Sequence, residues 1–138
     1  MTPLFVWVTL ATIGVLAVVM GVVFVLFRPF VLLLPEDQRF TGITSDQLKA
    51  FNSQLFVWIG MVFRSWGAFA IGLGSMMAAV SVTAYRRGDR WAWWALAGTG
   101  VPTFGIFLAV NLVLDSNFKF VIGFICFAYF WALWHDRR

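Results

Sequence analysis

Long apolar runs broken by short polar turns set the pattern of this chain. Leu4 to Phe27 carries no charged residue and ends at Arg28-Pro29. A second apolar stretch runs from Leu55 to Tyr85 with Arg64 as its one interruption, a third from Trp91 to Leu114, and a fourth, shorter, from Phe118 to Trp134. A helix needs roughly 20 apolar residues to cross about 30 Å of hydrocarbon. Charge-free runs without strict alternation argue against a membrane barrel, and backbone groups in lipid must be satisfied within the segment. The pattern predicts an all-α fold, an integral membrane four-helix bundle, with spans at about 4–27, 63–85, 91–114 and 118–134 in one domain over residues 1–138.

The start of the second span follows from length. Leu55 to Tyr85 as one straight helix would measure about 46 Å, whereas Arg64 to Arg86 is about 33 Å, close to the hydrocarbon thickness. Thr44-Ser45-Asp46-Gln47 has the Thr-x-x-Gln capping-box pattern that begins a helix. From there Leu48, Phe51, Leu55, Ile59 and Val62 recur at spacings of three and four. Residues 45–62 are thus expected to form an amphipathic segment at the outer interface. Pro29 and Pro35 bracket FVLLL, a piece too short to cross.

Composition sharpens the class. The 138 residues are 62% hydrophobic and only 12% charged, against roughly 45–50% and 25% in a soluble domain. A domain this small cannot hide so much apolar surface from water. One cysteine, Cys126, allows no internal disulfide, and one histidine, His135, leaves no ligand set for a bis-histidine haem or a zinc site. The ten Lys and Arg are dispersed, so the net charge reads as membrane-flanking and not as nucleic-acid binding.

Four spans place both termini and the turn after the second span on one side. That side holds Arg86, Arg87, Arg90, Arg137 and Arg138 in two short clusters. The other holds Arg28, Arg39, Lys49, Arg64 and Lys119, diluted by Glu36, Asp37, Asp46 and Asp115. The positive-inside rule weighs dense clusters most, so both termini are expected on the cytoplasmic face, of a bacterial cytoplasmic membrane. Trp7, Trp91, Trp93, Trp94, Trp131 and Trp134 then form an interfacial belt on that face, where an apolar ring with a polar N–H is at home.

Two features carry candidate chemistry. Arg64 belongs at the outer boundary; the alternative buries it in an outer polar cluster with Asn111 and Asp115, or with Glu36 or Asp37, at a cost that needs a partner. Small residues four apart mark helix-packing faces: Ala70, Gly74 and Ala78 in the second span, Gly105 and Ala109 in the third, with Ala17–Gly21 and Ala128–Ala132 in the others. Pro102, among Gly98, Gly100 and Gly105, predicts a kink in the third. The spans offer Ser65, Ser75, Ser81, Thr83, Thr99, Thr103, Asn111 and Cys126 but no carboxylate or histidine base, which argues against catalysis. LFVW recurs at 4–7 and 55–58 without a wider repeat.

The stretch LFVWIGMVFRSWGAFAIGLG, followed by RRGDRWAWWALAGTGVPTFG, resembles a group of small, uncharacterised bacterial four-span membrane proteins over about residues 55–105. The resemblance implies the four-span architecture and no particular activity. Where some members carry polar residues before the Arg, this chain has Met61, Val62 and Phe63. The expected function is that of a non-enzymatic structural or accessory subunit, in contact with membrane lipids and with other integral membrane proteins or further copies of itself. The alternative is a binding protein for an apolar ligand such as a lipid, quinone, carotenoid or other pigment. The sequence requires no cofactor, though bound lipid or pigment fits its sixteen Phe and eight Trp.

Overall fold

A computed structural model describes residues 3–136; Arg137 and Arg138 of the C-terminal basic cluster lie outside them. The chain is all-α. Helix α1 spans Leu4–Leu26, two short helices follow at Pro35–Thr41 (α2) and Ser45–Phe51 (α3), and the long α4 spans Ser53–Val80 and continues as a π turn over Ser81–Tyr85. Arg90–Val113 form α5 and Lys119–His135 form α6.

Among the described residues three helices are long and apolar enough to cross a membrane: Leu4–Leu26, Ser53–Tyr85 and Arg90–Val113. The fourth, α6, is apolar but only 17 residues long, about 26 Å at 1.5 Å per residue.

Thr44 starts α3 through the reciprocal pair expected of it. Its hydroxyl accepts from the Gln47 N–H at 3.2 Å, and Gln47 Oε1 accepts from the Thr44 N–H at 2.8 Å. The expected single amphipathic segment over 45–62 does not form. Asn52 is extended (φ −157°, ψ 103°), and its Oδ1 accepts from the Leu55 N–H at 3.0 Å, capping a new helix. Residues 53–62 therefore belong to α4, whose 33 residues through Tyr85 measure about 50 Å. An asparagine cap outweighs the continuous apolar periodicity across it.

The four long helices alternate in direction. Pairing of Gly14 with Gly74 and of Gly21 with Gly67 runs α1 antiparallel to α4. The Trp93 indole donates to the Leu133 carbonyl, and Tyr129 Oη to that of Leu96 at 2.7 Å, so α5 and α6 are antiparallel too. Phe5 meets Trp131 and His135. The beginning of α1 and the end of α6 thus share one end of the bundle. The core runs along this assembly through Val6, Leu10, Ile13, Met77, Leu96, Phe104 and Tyr129. Helix α5 continues without interruption through Pro102.

The closest helix contact is backbone against backbone. A Cβ on Gly74 would lie 2.5 Å from the Gly14 oxygen, and one on Gly67 2.6 Å from the Gly21 oxygen. The seam follows glycines seven apart, Gly67 and Gly74 of α4 against Gly21 and Gly14 of α1; Gly60, seven residues further back, faces Pro29 and Leu32 beyond the end of α1. Of the small residues read four apart, Gly74 and Gly21 lie on this seam, with Ala78 and Ala17 beside them. Ala70 is half-buried. Gly105 faces open space and Ala109 is exposed, so that face of α5 packs against nothing within the chain. Gly100 has a separate duty: a Cβ there would fall 2.0 Å from Tyr129 Oη.

Gly67→Ala and Gly74→Ala should each destabilise the protein by about 1–3 kcal/mol, the ordinary range for overpacking. Gly72→Ala, which meets nothing within 4 Å, should leave stability unchanged or slightly higher. Thermal unfolding in detergent followed by circular dichroism separates the two classes; equal midpoints for Gly72→Ala and Gly74→Ala would overturn the seam.

Candidate functional site

The densest buried polar chemistry lies where α2 folds back over the end of α1. Arg28 follows directly on α1, and the intervening Pro29-to-Pro35 segment turns the chain so that α2 begins above it. Asp37 does two jobs there. Its Oδ2 accepts from Arg28 Nη2 at 2.6 Å and from the Leu34 N–H at 2.9 Å, tying the arginine to the first turn of α2. Both side chains are largely buried, at 9% and 16% exposure. The guanidinium also lies over the Phe63 ring at 4.5 Å and the Phe24 ring at 5.5 Å. Cation–π attraction strengthens as water is withdrawn.

Glu36, the next residue back, is buried on the other side of α2. Its Oε1 accepts from Ser116 Oγ at 3.1 Å, and Ser116 Oγ accepts from the Phe118 N–H at 3.2 Å. Arg39, one helical turn after α2 begins, donates from Nη2 to the Asp115 carbonyl at 3.0 Å and to Asn117 Oδ1 at 3.1 Å. Together these bonds fasten α2 to the turn between α5 and α6. Asp115 adopts φ 48°, a left-handed conformation that aspartate tolerates better than most residues.

Lys119, the first residue of α6, hydrogen-bonds the Asp115 carboxylate four residues before it. That hydrogen bond, then the lysine's charge, hold the Asp115 carboxyl below its ordinary value of 3.8, with Arg39 adding to the effect. A depressed carboxyl stabilises the fold while ionised and loses that contribution as pH falls through its folded pKa.

The outer polar cluster expected from sequence, Arg64 with Asn111 and Asp115, does not assemble. Asn111 donates to the Phe107 carbonyl of its own helix at 2.9 Å, Asp115 pairs with Lys119, and Arg64 is exposed on α4. The buried arginine is Arg28 instead. Its signal in the sequence was the pairing of a basic residue at the end of one apolar run with the acidic Glu36-Asp37 just beyond a proline bracket.

Six of the eight tryptophans gather at the opposite end, where α1 begins and α6 finishes. Trp91, Trp94, Trp131 and Trp134 are exposed there. Trp7 is half-buried beneath the Arg86 guanidinium, 5.0 Å from the ring centroid. Trp93 is half-buried, with its N–H on the Leu133 carbonyl at 3.1 Å. Among the described residues no group of three or more His, Cys, Asp or Glu is placed to hold a metal ion. No protein-family model, curated protein or solved structure matches the chain.

The geometry gives the site a mechanical character: an ion pair and three side-chain bonds clamp a short helix across the end of the bundle. Asp37→Asn should destabilise the protein by about 3–5 kcal/mol, because it leaves a buried guanidinium uncompensated. Arg28→Met together with Asp37→Asn should cost less than the two single changes added, as double-mutant unfolding will show. In a pH titration the Asp115 carboxyl should ionise below 3.8, and Lys119→Met should move it back towards that value. Its contribution to stability should be present above pH 3.8 and fade below it; carbon-detected NMR of the carboxyl checks both.

Proposed function

We propose that this chain is a non-enzymatic integral membrane protein, a structural or accessory subunit that crosses the bilayer four times with both termini in the cytoplasm. It would pack against larger membrane proteins. The reading rests on one face of α6. Phe120, Phe124, Phe127, Trp131 and Trp134 follow one another at steps of four, three, four and three, and each is 45–80% exposed. The opposite face, with Cys126, Tyr129, Ala132 and Leu133, is buried in the bundle. A stripe of large side chains with a seven-residue period is the form of a helix that inserts knobs into a neighbouring helix. Aromatics at the centre of such a contact carry most of its energy.

The shortness of α6 supports the same face. About 26 Å of helix beneath about 30 Å of hydrocarbon leaves a mismatch that association with another membrane helix relieves. The gathering of Trp91, Trp94, Trp131 and Trp134 at one end supports an interfacial layer there. The reading of a pigment- or quinone-binding protein is the weaker one. The apolar cleft between α1, α5 and α6, lined by Leu16, Met20, Phe104 and Ile125 among others, encloses about 70 Å³, about half of the 150 Å³ or so that takes a benzene ring.

Extraction from the native membrane in mild detergent should bring out a second membrane protein in fixed ratio. Phe124→Ala with Phe127→Ala should reduce its recovery about tenfold or more, as for paired interface anchors, while the altered chain keeps its helical circular dichroism. Recovery of the chain with lipid alone, or of a defined pigment in its place, would overturn the reading.

A further inference from the structure

Arg64 is the one arginine or lysine within the long apolar helices, between their first and last turns, and the structure leaves it exposed. Three of the other basic residues at this end are engaged, Arg28 with Asp37, Lys119 with Asp115, and Arg39 with the α5–α6 turn, while Lys49 is exposed on the short α3. Among the described residues Arg64 has no hydrogen-bond, ion-pair or ring partner.

Its depth follows from its neighbours. Phe63 lies beneath the guanidinium that closes α1, so Arg64 stands level with the outer end of that helix. From Arg64 to Tyr85 at the opposite end is about 32 Å of helix, one hydrocarbon thickness. An unpaired charge at that level is costly unless it reaches the headgroup layer. Its Cα–Cβ bond, like that of every helical residue, tilts towards the helix N-terminus, which for α4 is the outward end. Long basic side chains reach polar layers along such a path.

A shallow groove of about 270 Å³ begins where that path leads. It is lined by Ser53, Gln54, Val57, Trp58 and Met61. Gln54, Val57, Met61 and Arg64 succeed one another at steps of three and four, so the groove and the arginine share one face of α4. The groove has apolar walls from Val57, Trp58 and Met61, polar groups at its outer end and a lone cation at its inner end.

We propose that this face of α4 binds a phospholipid of the outer leaflet. Its phosphodiester takes hydrogen bonds from Arg64, its headgroup lies along Trp58 and Met61 towards Gln54, and its glycerol and acyl chains continue inward from that level. Charge complementarity selects the occupant: a guanidinium pairs with phosphate oxygens through parallel N–H donors. The proposal depends on the helices crossing a bilayer and is independent of the partner assigned to α6.

The purified chain in mild detergent, titrated with phosphatidylglycerol and read by native mass spectrometry, tests it. Phosphatidylglycerol should bind at one molecule per chain at least about tenfold more tightly than diacylglycerol with the same acyl chains, the ordinary weight of a charge-assisted hydrogen bond. Arg64→Gln should remove that preference, Arg64→Lys should keep part of it, and Arg87→Gln should bind as the wild type does. Equal binding of the two lipids by the wild type would overturn the proposal, as would an undiminished preference in Arg64→Gln. Displacement by millimolar inorganic phosphate would also overturn it, assigning the site to the free anion. Should Arg64→Gln fail to fold, the wild-type comparison and Trp58→Ala, expected to weaken phosphatidylglycerol several-fold, decide the matter.

Discussion

Direct backbone contact between α1 and α4 is the constraint on which the rest of this structure depends. Glycine carbonyls of one helix occupy the places where side chains of the other would start, at Gly14 against Gly74 and at Gly21 against Gly67. Two apolar helices gain little by exchanging lipid for each other's side chains; they gain dispersion contact by coming close. Side-chain-free positions seven residues apart permit that approach over about two turns of helix. Once it is made, the register of the two helices is fixed, and with it the height at which every outer residue stands.

That register explains the clasp. Because Gly21 meets Gly67, the chain leaves α1 at the level of Phe63, and Arg28 settles on the Phe24 and Phe63 rings. A guanidinium so placed is mostly withdrawn from water and requires a carboxylate. Asp37 meets the need only if the chain turns back at once, as the bracket of Pro29 and Pro35 makes it do. Glu36 and Arg39 then lie on sides of α2 from which they reach Ser116 and Asn117. The clasp thus joins the α1–α4 pair to the α5–α6 pair at the end where no long helix makes the connection.

The rods themselves were legible in the sequence. Expected bounds of 4–27, 91–114 and 118–134 fall within a residue of the helices found, because a long charge-free run has few ways to satisfy its backbone. The capping box at Thr44 was equally plain. Helix α4 was harder. Arithmetic on bilayer thickness placed its start near residue 63, whereas Asn52 begins it at Ser53; hydrogen bonding at a helix terminus does not consult the thickness of lipid. A search at intervals of four reached Gly74 and Gly21 with Ala78 and Ala17 beside them but not Gly14 and Gly67, since the paired glycines repeat at seven. Arg28 read as a boundary charge because its partner is revealed only when α2 folds over it. Arg64, the more conspicuous residue, has its place on the outside.

The helices differ in length in a way that gives the molecule two unlike sides. Ser53–Tyr85 measures about 50 Å and Lys119–His135 about 26 Å, and on the four-span reading proposed above one bilayer surrounds both. On the α4 side the excess must tilt or stand in the headgroup layer, and the turns that do so carry Ser53, Gln54 and Trp58 among their apolar residues. On the α6 side lipid must thin or be replaced, and there the exposed residues are Phe and Trp in a single stripe. Mismatch costs only fractions of a kcal/mol per Å, but it acts on both sides at once and with opposite sign. On that reading, a bundle shaped in this way has an orientation relative to its neighbours before any specific contact is made: polar lipid heads would be drawn to one flank and another protein's helix to the other.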